Sequence, residues 1–266
     1  MLTRAGRGRI QWRDEVAVVT GASSGLGRRL ALDLALSGAV VVGLARRSTL
    51  LDTLAQEMRR TSPGSSCRVV DVSDVEGYLS HLGEIEAEQG RIDLLLNVAG
   101  HGGLNRSKWP EMPPVRKVME TNFFAPYASM LAVVPGMRAR RHGVVANVVS
   151  DDGRAPGPGP GDYEASKAAL AVATESLSYV AERDGVHLHV VYPAWMPTAM
   201  GRAAVSEGGI PVPPRLARRS VEHVSGVILG RLGGERIEIN GAALPLLAPL
   251  ARVIVPRLYH RLRPHF

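Results

Sequence analysis

At 266 residues with 45% hydrophobic content the chain can bury a large core, and no linker divides it into independently patterned halves, so residues 1–266 read as one domain. The formal charge of +7 comes almost wholly from arginine, since Lys108, Lys117 and Lys167 are the only lysines. No zinc-finger spacing, basic heptad or aromatic RNA-binding signature accompanies that charge, which argues against a nucleic-acid partner and leaves a field suited to phosphorylated cofactors or an anionic membrane surface.

Val16–Thr20 is a β-branched run ending at Gly21, the pattern of a fully buried strand. From Gly25 to Ser37, Leu26, Leu30, Leu34 and Ala35 fall on one face with Arg28 and Arg29 outside, a helix closed by Gly38. Ala39–Leu44 is a second strand, Thr49–Arg60 a second amphipathic helix, and Cys67–Val70 a third strand leading to Asp71 and a helix running to about Gln89. Ile92–Asn97 is the fourth strand. A long helix spans Pro113–Met137, with a kink or break implied by Pro126. Gly143–Val149, the alanine-rich helix Tyr163–Arg183 and the strand Val186–Tyr192 complete the series. Buried strands alternating with helices require a parallel sheet covered on both faces, and right-handed crossovers make it a doubly wound, Rossmann-like α/β fold.

Three segments break the alternation: a Gly/Pro-rich loop at Gly153–Gly161, a mostly irregular insertion at Met196–Pro214, and an apolar tail from Ala242 to Phe266 carrying prolines and arginines. A basic leader, residues 1–13, has no apolar stretch behind Arg4, Arg7 and Arg9 and does not read as a signal peptide. The single cysteine, Cys67, excludes an intrachain disulfide, and no apolar run is long enough for a membrane span. A cytoplasmic protein is expected, with the tail as the part that could touch a membrane surface.

The first strand runs into Thr20-Gly21-Ala22-Ser23-Ser24-Gly25-Leu26-Gly27. A tight strand-to-helix turn needs residues without side chains, and glycines let a pyrophosphate reach the backbone amides at the positive end of the helix dipole. The spacing is Gly-x3-Gly-x-Gly, and on its own it also suits a purely structural turn.

Further motifs narrow the reading. Asn97-Val98-Ala99-Gly100 closes the fourth strand, Asn122 lies in the long helix, Tyr163 and Lys167 stand in a Tyr-x-x-x-Lys arrangement, Ser150 precedes Tyr163 by thirteen residues, and Pro193 and Thr198 follow the sixth strand. Together with the glycine turn, this ordered set resembles the short-chain dehydrogenase/reductase family over roughly Val16 to Thr198. The resemblance implies an oxidoreductase that moves hydride between a nicotinamide cofactor and a carbonyl or alcohol. In that reading Thr20, Gly21, Ser23, Ser24, Gly25, Leu26 and Gly27 form the cofactor loop, and Asn97, Ala99, Gly100, Pro193 and Thr198 also face the cofactor. It further assigns Lys167 to the nicotinamide ribose, gives Asn122 a water linking Lys167 to solvent, and implies a homodimer or homotetramer paired through the fourth and fifth helices.

The chemistry also follows from the residues. Tyr163 and Lys167, four apart, share one helix face. A phenol of pKa near 10 is a poor proton shuttle at neutral pH, and a nearby ammonium is expected to lower it. Tyr163 then protonates an alkoxide or deprotonates an alcohol, while Ser150 holds the substrate oxygen. At the end of the second strand Ala45 stands where NAD-binding members tend to carry aspartate, and Arg46 can clamp a phosphate, so NADP(H) is favoured over NAD(H). Arg46 and Arg47 could also simply open a solvated helix. Asp71, with Val72 beside it, resembles the family's adenine-contacting acid and could equally cap the next helix.

Departures from the family pattern are Val98, Ala194, and the acids Asp151 and Asp152 directly after Ser150, which either bind a polar or cationic substrate group or face solvent. Residues 194–215 are the expected substrate loop. Trp195, Met196 and Met200 either line a pocket for a lipophilic substrate or pack on the core. The tail reads as a subunit contact, core packing or a bilayer contact. Rival functions are an NAD-dependent alcohol dehydrogenase and a non-catalytic nucleotide-binding redox regulator. The intact Asn122, Ser150, Tyr163 and Lys167 argue against the latter.

Overall fold

A computed structural model describes residues 12–103, 109, 111–207, 209, 211–241 and 247–262. The leader up to residue 11, and Leu244, Leu246 and Arg263 of the tail, lie outside the described residues. Seven parallel strands form one sheet in the order β3-β2-β1-β4-β5-β6-β7. They are β1 Val16–Thr20, β2 Val40–Ala45, β3 Ser66–Val69, β4 Leu94–Asn97, β5 Gly143–Val148, β6 Val186–Tyr192 and β7 Glu238–Asn240. The helices are α1 Gly25–Leu36, α2 Ser48–Arg59, α3 Val75–Gln89, α4 Met112–Met119, α5 Ala125–Arg140, α6 Asp162–Ala181, α7 Ala199–Ser206, α8 Val221–Leu229, α9 Leu247–Ile254 and α10 Pro256–Leu262. This is the doubly wound α/β fold expected from the alternation.

Successive β1 residues point to opposite faces, so Ala17 and Val19 join one apolar cluster and Val18 the other. The first cluster holds Leu30 and Leu34 of α1, Leu54 and Met58 of α2, and Val224 and Ile228 of α8. The second holds Tyr78 and Ile85 of α3, Met130 and Met137 of α5, and Leu170 of α6. Each such fully buried side chain contributes roughly 1.5–3 kcal/mol of transfer free energy. Helices on both faces explain why the central strands β1, β2 and β4 read as apolar runs without alternation.

Strand order reverses between β1 and β4, which opens a crevice at their C-terminal ends. The long helix is interrupted where Pro126 implied a break: a π-helical stretch, Glu120–Phe124, separates α4 from α5, and Pro126 sits in the first turn of α5. The wider turn there accommodates the proline, which cannot supply an N–H to a regular ladder. Helix α3 is capped by Asp74, whose side chain accepts from the Gly77 N–H, so the capping role considered for Asp71 falls to its neighbour. The insertion expected to be irregular contains α7, whose N-cap Thr198 accepts from the Gly201 N–H at 3.1 Å.

Candidate active site

The β1–α1 turn packs so closely that side chains are excluded by the protein itself. Gly21 has φ +68°, and a Cβ there would lie 2.9 Å from the Cα and N of Ala99. At Gly27 a Cβ would lie 2.5 Å from the Gly21 carbonyl oxygen. Ser24 makes no side-chain cap on α1, and the first turn carries no acid, which leaves Gly25, Leu26 and Gly27 with amides suited to an anion.

Thr20 and Asn97 are placed differently from the expectation of direct cofactor contact. The Thr20 hydroxyl accepts from the N–H groups of Val98 and Ala99, both at 3.0 Å, and so fastens β1 to the loop after β4. The Asn97 amide donates to Asn147 Oδ1 at 2.8 Å and to Ser129 Oγ at 3.1 Å, and accepts from the Tyr78 hydroxyl at 3.1 Å. Both side chains are buried and spent on holding the strand ends together. Ala99 and Gly100 follow at the mouth of the crevice, and a Cβ on Gly100 would lie 3.6 Å from Lys167 Nζ.

Asn122, Ser150, Tyr163 and Lys167 converge beside that mouth. Asn122 is fully buried in the π stretch, accepting from the His101 N–H at 2.7 Å and donating to the His101 carbonyl and Ser166 Oγ, each at 3.0 Å. Both its donors are used, which leaves a lone pair on Oδ1 for a water. Lys167 is buried, donates from Nζ to the Val148 carbonyl at 2.8 Å, and lies 5.9 Å from the Tyr163 ring centroid. Burial lowers its pKa to about 8. Ser150 lies two residues beyond β5, and its Oγ accepts from the Asp152 N–H at 3.2 Å and stands 3.4 Å from Asp152 Oδ2.

The expectation that Lys167 lowers the Tyr163 pKa needs correction. Burial pushes the phenol well above its usual range, and the Asp152 carboxylate adds to the rise, while a hydrogen bond with Ser150 pulls the other way. The physical reason is that low dielectric penalises both phenolate and ammonium, and the Lys167 head is turned to a backbone carbonyl. The phenol is therefore held in its neutral, proton-donating form.

Arg46 and Arg47 divide the end of β2. Arg46 Nη1 lies 3.7 Å from Asp71 Oδ2. Asp71 also accepts from Ser73 N–H and Oγ, and Val72 beside it is buried. Arg47, which sequence reasoning set aside, turns back onto the glycine turn, with Nη2 donating to Ser23 Oγ and Ser24 Oγ, both at 2.7 Å. Its adjacency to Arg46 was the only signal for it. A planar guanidinium there, with Ala45 at the strand end, fits a phosphate-bearing nucleotide.

On the substrate side, Asp151 is paired with Arg154 at 2.6 Å, and Arg154 also meets Glu238 and covers the Tyr192 ring at 3.5 Å. Asp151 is thereby committed to the fold, and Asp152 is the acid at the reacting centre. Met196 packs against the core, whereas the Met200 Cε on α7 would lie 3.8 Å from a Cβ on Gly100, over the mouth. Arg218 lies 5.9 Å from the Trp195 ring. Pro193 follows β6, and the Thr198 methyl faces Gly25, so this loop closes over the turn. The tail also reaches the site: Tyr259 donates to the Pro156 carbonyl at 2.9 Å and Arg252 to the Arg154 carbonyl at 3.2 Å, fastening the loop after Ser150.

Residues 15–208 match the short chain dehydrogenase family. Dehydrogenase/reductase SDR family member 7B from Bos taurus is 32% identical over 263 residues, covering 94% of this chain and 80% of that relative. The 3-oxoacyl-(acyl-carrier-protein) reductase FabG from Escherichia coli (strain K12) is 29% identical over 251 residues, covering 94% and 97%. Among solved structures, a short-chain dehydrogenase from Streptomyces avermitilis shares the fold with a TM-score of 0.79 at 24% identity, over 92% of this chain and 94% of that one.

Proposed function

Since the chain belongs to the short-chain dehydrogenase family and is an oxidoreductase of that type, we propose that it is an NADP(H)-dependent carbonyl reductase acting on a lipophilic ketone. The observation that carries this reading is the neutral Tyr163 phenol beside Ser150 at the mouth of the crevice. When bound, the nicotinamide supplies the hydride to the carbonyl carbon. Ser150 holds the carbonyl oxygen, and the Tyr163 O–H gives it the proton, leaving a phenolate. Lys167, with Nζ 5.9 Å from the Tyr163 ring centroid, is placed to offset part of the charge of that phenolate, a contribution that burial outweighs in the resting phenol. Reprotonation through Lys167 and the water expected at Asn122 restores the acid. The reverse path needs the phenolate as base, a form that burial and Asp152 disfavour at neutral pH.

The proposed cofactor set is Thr20, Gly21, Ser23, Ser24, Gly25, Leu26, Gly27, Arg46, Asp71, Val72, Asn97, Ala99, Gly100, Pro193 and Thr198, with Tyr163 and Lys167. Thr20 and Asn97 act in it through their neighbours, and Arg47 joins it. Arg46 and Arg47 would hold a 2′-phosphate through their guanidinium groups. Arg47→Ala is expected to raise KM for NADPH by tens of fold, consistent with losing a hydrogen bond of about 1.5–3 kcal/mol to a charged group, and to leave KM for NADH nearly unchanged. Absorbance at 340 nm with each cofactor and a panel of lipophilic cyclic ketones measures this. Faster use of NADH by the unaltered chain would favour the NAD-dependent alcohol dehydrogenase reading, and no turnover at all would favour the regulator.

The same reading takes residues 1–266 as one catalytic domain in the cytoplasm, with 194–215 as substrate loop and Met200 as its apolar contact. Leu131 on α5 and Val172, Tyr179 and Val180 on α6 are exposed, which supports a homodimer or homotetramer through the expected fourth and fifth helices. Among the described residues no helix is long and apolar enough to cross a membrane. Leu250, Val253 and Ile254 of α9 are exposed beside Arg252, which supports a peripheral contact of the tail. Sedimentation with anionic liposomes is expected to be lost in a chain ending near Ala242. Equal sedimentation of both chains would remove the membrane role.

A further inference from the structure

We propose that Glu15, Asp93 and His142 form a binding site for one divalent cation of the zinc class at the N-terminal edge of the sheet. Each residue immediately precedes a strand: Glu15 precedes β1, Asp93 β4 and His142 β5. Those three strands are neighbours, with Ala17 paired to Leu94 and Leu94 to Val144, so the sheet gathers three residues that the sequence scatters. One donor atom from each lies within 4.8 Å of the other two.

A second observation points to a ligand. Asp93 is 1% exposed, and its Oδ2 accepts from the Val16 N–H at 2.9 Å and from Arg91 Nε at 2.7 Å. Its Oδ1 is buried with no hydrogen-bond partner among the described residues. An orphaned carboxylate oxygen is costly and uncommon. The Glu15 carboxyl faces the same group, and its donor oxygen lies within 4.8 Å of the donor atoms of Asp93 and His142.

The distances suit a cation. Glu15 Oε2 and His142 Nε2 are 2.9 Å apart. Tetrahedral zinc, about 2.0–2.2 Å from each ligand, spaces them by roughly 3.4 Å, a small opening of that pair. One imidazole with two carboxylates favours zinc over magnesium or calcium. Side chains of Glu15 and His142 keep 20% and 25% of their surface exposed, an entry path that also admits a water as fourth ligand. Parallel strands place this edge opposite the glycine turn, so the cation would bind three strands together and touch no substrate.

The test uses the full chain, dialysed against a chelator and titrated with zinc alone by calorimetry. Expected are one zinc per chain and a Tm that rises with zinc, with the zinc affinity weakened by at least about tenfold and the Tm rise reduced in Glu15→Gln and His142→Gln, while His187→Gln behaves as the unaltered chain. X-ray absorption of the zinc-loaded unaltered chain should show only nitrogen and oxygen donors, a readout independent of how the variants fold. Sub-stoichiometric zinc, binding that His142→Gln leaves intact, or a sulfur donor would overturn the site.

Discussion

Tyr163→Phe is expected to lower reductive turnover at least about a hundredfold, the scale of a lost general acid, while leaving the fold intact and changing NADPH affinity far less than turnover. The phenol ring stays, so the packing of α6 against the loop after Ser150 is conserved and only the proton is removed. Ser150 loses one hydrogen-bond partner but keeps the Asp152 N–H. Initial rates at 340 nm, paired with NADPH titration by fluorescence, separate a loss of chemistry from a loss of binding. A fall in kcat much larger than any change in cofactor affinity assigns the phenol to the chemical step. Retained turnover would remove Tyr163 from the mechanism.

Gly27→Ala should act on the cofactor through the fold. Its new methyl carbon would sit 2.5 Å from the Gly21 carbonyl oxygen and 2.8 Å from the carbonyl carbon, both backbone, so α1 must move off the turn. Overpacking of this kind costs about 1–3 kcal/mol, roughly 2–4 °C in Tm per kcal/mol for a chain this long. Because α1 carries the amides offered to the pyrophosphate, NADPH affinity should fall by more than about tenfold. Gly83→Ala in α3 is the matched control: it is exposed, a Cβ there meets nothing within 4 Å, and removing a helical glycine should raise stability by about 0.5–1 kcal/mol. Calorimetric Tm and cofactor titration of the two variants should diverge in sign for stability, and unaltered NADPH affinity in Gly27→Ala would contradict the account of the turn.

What the sequence made legible follows from length and periodicity. Val16–Thr20 and Leu94–Asn97 sit inside a sheet covered on both faces, so their apolar runs are broken only at their last residues, Thr20 and Asn97. Strand β7, at the sheet edge, has only Glu238–Asn240 and a single buried side chain, too short for any period to register. Helix α7 hides behind Pro197 and Gly201, and its capping Thr198 is recognisable only once the chain direction is known. The site shows the same division. The spacing of four paired Tyr163 with Lys167 on one helix, and the ordered set of motifs in the family resemblance added Asn122 and Ser150, which the fold carries on a π-helical stretch and just beyond a strand end. Direction and burial were out of reach: nothing in Arg46-Arg47 tells which guanidinium turns toward Ser23 and Ser24. A helical spacing of four likewise does not say that the Lys167 head bonds a carbonyl while the phenol is desolvated.

The central claim is that Tyr163 is a neutral acid backed by a buried ammonium, and pH–rate profiles of kcat/KM in both directions test it most directly. With the phenol raised above its usual range, its donating form persists through neutral pH, and the cation that supports it is lost as pH rises through the Lys167 value of about 8. Ketone reduction should therefore hold level below about 8 and fall above it, whereas alcohol oxidation should climb as the phenolate begins to form. Reduction that climbs through the same range, or a profile unchanged in Tyr163→Phe, would contradict the account.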